Sequence, residues 1–235
     1  MKTKIIYEDQ DIMVCHKPAN LAVETKNTFQ MDMVSELKNY LRQQKGTAGV
    51  PYLAVIHRLD QPVEGILVFA KNRESAAALS SSMQKGEMEK LYLAVLYGEP
   101  EKKEAVLEDY LKKDEKTNLS YVVAKDTTGA KQARLSYEII ETRQEEGVPV
   151  SVARIHLDTG RHHQIRVQFA NAGFPLLGDQ KYGSKESKEA SDELFLGNVQ
   201  LCAYALSFQH PGTGKRVTYR LEKVPRLMRT QTEKS

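Results

Sequence analysis

The stretch from about Glu101 to Val150 constrains the fold most, because apolar and polar residues alternate along much of it. Leu119-Ser120-Tyr121-Val122-Val123 and Ala133-Arg134-Leu135-Ser136-Tyr137-Glu138-Ile139-Ile140 show the pattern best. Successive side chains on a strand point to opposite faces, so this alternation predicts antiparallel strands with one buried and one wet face. Shorter apolar runs elsewhere predict further strands. Ile5-Ile6-Tyr7 and Ile12-Met13-Val14-Cys15 form a pair, and Lys17-Pro18 ends the second. Leu53–Ile56 and Ile66–Ala70 flank a polar loop, His57–Glu64. Leu91–Leu96, Val150–Leu157, Gln200–Phe208 and Arg216–Leu221 complete the set. Met33, Val34, Leu37, Tyr40 and Leu41 recur at helical spacing behind Asp32 as N-cap, with Gly46 just past the end. Asn72 is placed to cap a second helix through Ser75, Ala78 and Leu79 to about Gln84. A third is expected to open at Gly160, run through Ile165, Phe169 and Ala172, and close at Gly173. Lys185–Glu193, rich in Ser, Lys and Glu, reads as a mobile surface loop. Helices interleaved irregularly with antiparallel strands make an α+β pattern. No repeat or linker breaks residues 1–235, which read as a single domain.

The net charge of +3 is compatible with a polyanionic partner without requiring one. A basic cleft would have to come from local placement of Arg and Lys. Cys15 and Cys202 each sit in an apolar strand-like run, outside any CxxC pair, and read as buried structural thiols in a reducing compartment. No signal-peptide core follows Met1, and no apolar run is long enough to span a membrane. A cytoplasmic protein with no membrane partner is expected.

The chemistry concentrates in two places. His57-Arg58-Leu59-Asp60 puts a carboxylate in a short loop before the apolar run Gly65-Ile66-Leu67-Val68-Phe69-Ala70. Loop residues held by rigid strands are where catalytic groups tend to sit. A reacting carboxylate must stay ionised, so it needs a cation or backbone donors nearby. Arg166 is the best candidate cation. It belongs to Arg161-His162-His163-Gln164-Ile165-Arg166, behind Thr159-Gly160. Read as the start of a helix, with His162 and Arg166 on one face, that segment suits a phosphate. The histidines lack ligand spacing, so no metal site is expected. No serine has a G-x-S-x-G setting. Tyr92, in Lys90-Leu91-Tyr92-Leu93-Ala94-Val95, is either one more strand aromatic or a residue that stacks on a base or moves a proton.

His57-Arg58-Leu59-Asp60-x-x-x-x-Gly65 resembles the catalytic motif of the RluA-type pseudouridine synthases. Other stretches match in the same order. They are Ile6-Tyr7-Glu8-Asp9 through Lys17-Pro18, then Lys90-x-Tyr92-x-Ala94-Val95, then Leu157-x-Thr159-Gly160-Arg161-x-His163-Gln164-Ile165-Arg166-Val167. Gly178-Asp179-x-x-Tyr182-Gly183 and Leu201-Cys202-Ala203-Tyr204 through His210-Pro211 follow. The resemblance implies the pseudouridine synthase catalytic fold, a mixed, largely antiparallel sheet with flanking helices and a central RNA-binding cleft. It implies isomerisation of selected uridines in ribosomal or transfer RNA, without metal or organic cofactor. Asp60 matches the essential aspartate, Arg166 the basic residue paired with it, and Tyr92 the tyrosine that contacts the base. Whether the aspartate attacks the sugar or acts as a base stays open. The target base must leave its stack, which favours structured RNA with an exposed uridine.

The chain departs from the family where Gln61-Pro62-Val63-Glu64 replaces the usual Thr or Ser residues before the glycine. Glu64 near an RNA backbone is repulsive unless it points away or pairs with a cation. His162 also stands where Thr or Ser is usual, and contact with phosphate, contact with the base and simple space-filling remain open for it. The chain is expected to be the stand-alone catalytic domain, without the S4 module of many relatives. Arg58, Lys71, Arg73, Arg161, His162 and His163 are the candidate RNA-facing residues, each with a plain alternative as an ordinary surface or packing group. RNA, rather than DNA, is the expected partner of a monomer. A catalytically impaired RNA-folding protein is the alternative, and an unrelated hydrolase using Asp60 with His57 the third reading.

Overall fold

The computed structural model describes residues 2–27, 29–45 and 49–230. Gly46, expected just past the first helix, lies outside the described residues. In chain order the first elements are β1 (Lys4–Glu8), β2 (Ile12–Lys17), α1 (Met33–Lys45), β3 (Ala54–Val55), β4 (Glu64–Ala70), α2 (Arg73–Gln84) and β5 (Glu89–Tyr97). Then come β6 (Glu104–Asp114), β7 (Leu119–Val123), β8 (Lys131–Glu145), β9 (Val148–Leu157), α3 (Gln164–Asn171), α4 (Lys185–Glu193), β10 (Leu201–Gln209) and β11 (Arg216–Arg220). A short 3-10 turn covers Arg226–Met228. The chain divides into two compact units, one running to Lys90 and resumed by Ala203–Glu222, the other formed by Leu91–Cys202 and the segment from Lys223.

In the first unit the strands lie in the order β1-β2-β4-β10, with β11 beside β10 and β3 beside β4. β2 and β4 run antiparallel, Val14 opposite Val68 and Cys15 opposite Leu67. Both are apolar without alternation because both faces are covered. Ile12, Val14, Ile66, Val68, Leu79, Leu206 and Phe208 form the core. Asp32 accepts the Ser35 N–H at 2.7 Å and so caps α1. Asn72 caps α2 through the Ser75 N–H at 2.8 Å. Gly65 has φ +145, and a Cβ there would lie 2.5 Å from the Ala203 carbonyl oxygen. No other residue fits this close approach.

In the second unit the order is β5-β9-β8-β6-β7, with every ladder antiparallel. The expected alternation is present: Ala133 and Leu135 of β8 are buried while Gln132 and Arg134 are exposed. Glu146 and Gly147, both at positive φ, turn β8 into β9, so β9 begins at Val148, ahead of the expected Val150.

Two expectations are corrected in this unit. The helix expected from Gly160 begins at Gln164. His163 is its N-cap, in the left-handed region at φ 54. Gln164 explains the delay, because its Oε1 accepts from Thr159 Oγ1 at 2.8 Å and from the Arg161 N–H at 3.0 Å, closing a loop. His162 therefore lies outside α3 and does not share a helical face with Arg166. The segment read as a mobile loop, Lys185–Glu193, is the helix α4, capped by Ser184 through the Ser187 N–H at 3.1 Å. Its buried face is Ser187, Ala190 and Ser191, small residues that give no apolar periodicity. Among the described residues no helix is long and apolar enough to cross a membrane.

Candidate active site

Asp60 lies in the loop of the first unit between β3 and β4, half-buried, with its carbonyl accepting the Val63 N–H at 3.0 Å. Leu59 and Val63 on either side are buried and anchor the loop to the core. Beneath it sits Lys17, at the end of β2, with no solvent exposure. Its ammonium donates to the carbonyls of Pro18 at 3.0 Å, Leu21 at 2.7 Å and Gln61 at 2.8 Å. The Gln61 carbonyl also accepts the Asn20 N–H at 2.9 Å. The residue next to Asp60 is thus tied to the turn after β2 by two donors. Burial lowers the Lys17 pKa to about 8, with Asp60 and Glu64 acting in the opposite direction.

His57 is turned inward. The Val68 N–H donates to its Nε2 at 3.4 Å, and burial, with a smaller contribution from Lys90, lowers its pKa to about 3. A neutral imidazole holding a strand is a poor base at neutral pH, which removes the physical support for a hydrolase using Asp60 with His57.

Arg166 lies in α3 of the second unit, buried, and grips Asp179 with two N–H donors, Nε and Nη2, each at 2.7 Å. Asp179 also accepts the backbone N–H groups of Lys181 at 3.0 Å and Tyr182 at 3.1 Å. The Tyr182 ring faces the guanidinium at 5.2 Å, a cation–π distance. Its hydroxyl accepts the Ser120 N–H at 2.8 Å and is 2.6 Å from His163 Nδ1. Burial, then the charge of Arg166, hold the His163 pKa down to about 2, so its ring is neutral. His162 stacks on His163 with centroids 3.7 Å apart and bonds Ser120 Oγ at 2.8 Å. Leaving helical geometry at His163 is what lets these adjacent rings stack. Tyr92 is buried in β5, opposite Ile155 of β9.

The candidate RNA-facing residues occupy different settings. Arg58, Arg73 and Arg161 are exposed, and Arg161 also donates to the Gln132 carbonyl at 2.8 Å. Lys71 commits its ammonium to Glu8 at 2.6 Å and to the Asp9 carbonyl. His163 is buried and His162 half-buried. Among the described residues one group has metal-ligand spacing, Asp9, Asp11 and His210. There His210 Nε2 is 2.8 Å from Asp9, and Nδ1 accepts the N–H groups of Gly212 and Thr213, each at 3.2 Å. Both ring nitrogens already hold the turns, so the set is a structural network.

Sequence reasoning gave no role to Lys17, Asp179 or Tyr182. Lys17 read only as the end of a strand. The signal was its place two residues after the four buried strand residues Ile12–Cys15, where a lysine has to find partners.

A family model described as RNA pseudouridylate synthase matches residues 11–171, a range that includes Asp60, Tyr92 and Arg166. A protein of Aquifex aeolicus named as an uncharacterized RNA pseudouridine synthase is 31% identical over 93% of this chain and 68% of its own. Ribosomal large subunit pseudouridine synthase C of Pasteurella multocida is 30% identical over 92% of this chain and 63% of its own length. The solved structure of human RNA Pseudouridylate Synthase Domain Containing 4 shares the fold at a TM-score of 0.75 and 20% identity, over 96% of this chain and 90% of that one. The chain belongs to the RNA pseudouridylate synthase family, and by that membership it is an isomerase acting on RNA.

Proposed function

We propose that this chain converts selected uridines of structured ribosomal or transfer RNA to pseudouridine in the cytoplasm, with Asp60, Tyr92 and Arg166 as its catalytic residues. The observation that carries this reading is the family match running unbroken from residue 11 to 171, across all three residues and across the boundary of the two units. Both units are then parts of one catalytic domain. The nitrogen–carbon glycosidic bond breaks, the freed base turns, and it reattaches through carbon 5. Asp60 is the group that meets the sugar, as nucleophile or base, and its loop is held still by Lys17 through the neighbouring Gln61 carbonyl. Such restraint limits the motion the reaction must otherwise arrest. Arg166 supplies positive charge and Tyr92 packs on the base. Arg58, Arg73 and Arg161 are the exposed cations suited to the RNA backbone.

The test is pseudouridine mapping of ribosomal and transfer RNA from cells with and without the gene, rescued by wild type, Asp60→Asn or Arg166→Met. A site lost on deletion should return with wild type alone. Restoration by Asp60→Asn would remove Asp60 from the chemistry. No change at any site would favour an RNA-folding role.

A further inference from the structure

A phenylalanine left in water on a hydrogen-bonded loop forgoes the burial that its ring favours. Phe29 is 99% exposed, so almost nothing in the fold covers it. It stands in the loop between β2 and α1, with Met31, also exposed, two residues on. The base of this loop is anchored. Leu21 and Val23 are buried, the Met33 N–H donates to the Ala22 carbonyl at 3.0 Å, and the Val34 N–H donates to the Val23 carbonyl at 3.1 Å. The Thr25 N–H meets Asp32 Oδ2 at 2.8 Å. Asn27 then shapes the tip, its Oδ1 accepting the Phe29 N–H at 3.0 Å and its carbonyl the Gln30 N–H at 3.1 Å. Polar bonds hold this turn and leave its apolar side chains outside.

The same loop is fastened to the one that carries Asp60. The Lys17 ammonium donates to the Leu21 carbonyl at 2.7 Å and to the Gln61 carbonyl at 2.8 Å. The Asn20 N–H reaches the same Gln61 carbonyl at 2.9 Å, and the Gln61 side-chain amide donates back to the Asn20 carbonyl at 3.4 Å. Between Thr25 and Met31 the sequence holds one charge, Lys26, which is exposed, and the exposed Gln30 adds an amide. A ring for a base face, an ammonium for a phosphate and an amide for a base edge suit an unpaired nucleotide.

We propose that Phe29 stacks on an unpaired base of the RNA flanking the target uridine, and so selects substrate for the reaction proposed above, on which this inference rests. Flipping the target base out breaks its stacking on its neighbours, so a flanking base is left with a bare face. A ring on a loop tied to the Asp60 loop takes that face while Asp60 meets the sugar. Lys26 serves the adjoining phosphate. A phenyl ring reads no base edge, so the contact selects for an unpaired neighbour rather than for its identity.

The chain has no tryptophan, so Phe29→Trp places a sole indole on the loop. The probes are unmodified transcripts of ribosomal and transfer RNA and a fully paired RNA duplex. Transcript should quench the indole fluorescence of Phe29→Trp, and duplex should not. Phe29→Ala should raise KM about tenfold with kcat within about twofold of wild type. Its urea unfolding should match wild type, because the ring covers nothing. Phe29→Trp should keep KM near wild type. Phe195→Ala removes another exposed ring, just past Asp192 and Glu193 at the end of α4, and should leave KM unchanged. An unquenched indole at saturating transcript would overturn the proposal, as would equal quenching by duplex or a Phe29→Ala loss confined to kcat. If wild type forms no pseudouridine on any transcript, the reaction assignment falls, while the fluorescence still decides whether Phe29 meets an unpaired base.

Discussion

The two units bury charge in opposite ways. Under the Asp60 loop, a lone ammonium is surrounded by neutral carbonyls, and its balancing carboxylates act from outside that ring. Around Arg166, a guanidinium meets its carboxylate directly, two bonds to one partner, with an aromatic ring against it. The first arrangement ties backbone to backbone and fixes a loop. The second fixes the direction of a side chain. A loop can be held through its backbone without using the Asp60 carboxylate, and a lysine gripping main-chain carbonyls does that. An arginine needs its planar fork aimed, and a bidentate carboxylate does that.

The contrast predicts unequal damage when each is broken. Asp179→Asn should do the most harm to stability. It leaves a buried guanidinium without its two-point counter-charge, and the Asp179 side chain has 0% exposure. Removing one partner of such a pair costs about 3–5 kcal/mol. Urea unfolding should show that loss, and a change below about 1 kcal/mol would mean that Arg166 leans mainly on other groups. Lys17→Met should cost less, about 1–3 kcal/mol, because what remains is unpaired carbonyl dipole and half-buried carboxylates rather than a fully buried charge, and the Gln61 carbonyl keeps the Asn20 N–H. The same methionine should nevertheless reduce turnover more than its stability loss explains. If Lys17→Met proves the more destabilising of the two, the contrast between dipole and charge is wrong.

How far each region could be read from sequence follows the same division. The strands were legible because burial writes itself as hydrophobic pattern: Leu119–Val123 and the run through Ile139 alternate and are strands, and Ile66–Ala70 lies in β4 without alternating. Caps at Asp32 and Asn72 were legible because their chemistry is local. α4 was hidden because serine and alanine face inward, and α3 was placed four residues early because the Gln164 side chain closes a loop that looks helical in sequence. The Arg166–Asp179 pair was hidden because nothing local marks which distant carboxylate an arginine will choose. Lys17 was hidden because lysine is almost never fully buried, so pattern reading assigns it to the end of an element.

The finest test falls on Tyr182, whose hydroxyl joins the Arg166 region to the β6–β7 hairpin. Tyr182→Phe keeps the ring that faces the guanidinium and removes only the oxygen. The Ser120 N–H then loses an acceptor at 2.8 Å, and His163 Nδ1 loses a partner at 2.6 Å. Ser120 and His163 are both buried, so the cost should be about 1–2 kcal/mol, below that of either charge clamp. The neutral His163 does not titrate near neutral pH, so the loss should be the same from about pH 6 to about pH 8. Hydrogen exchange at the Ser120 amide should accelerate in the variant, and the Lys17 titration in the other unit should not move. A shift of that titration would show that the two clamps, built on opposite principles, are energetically one system.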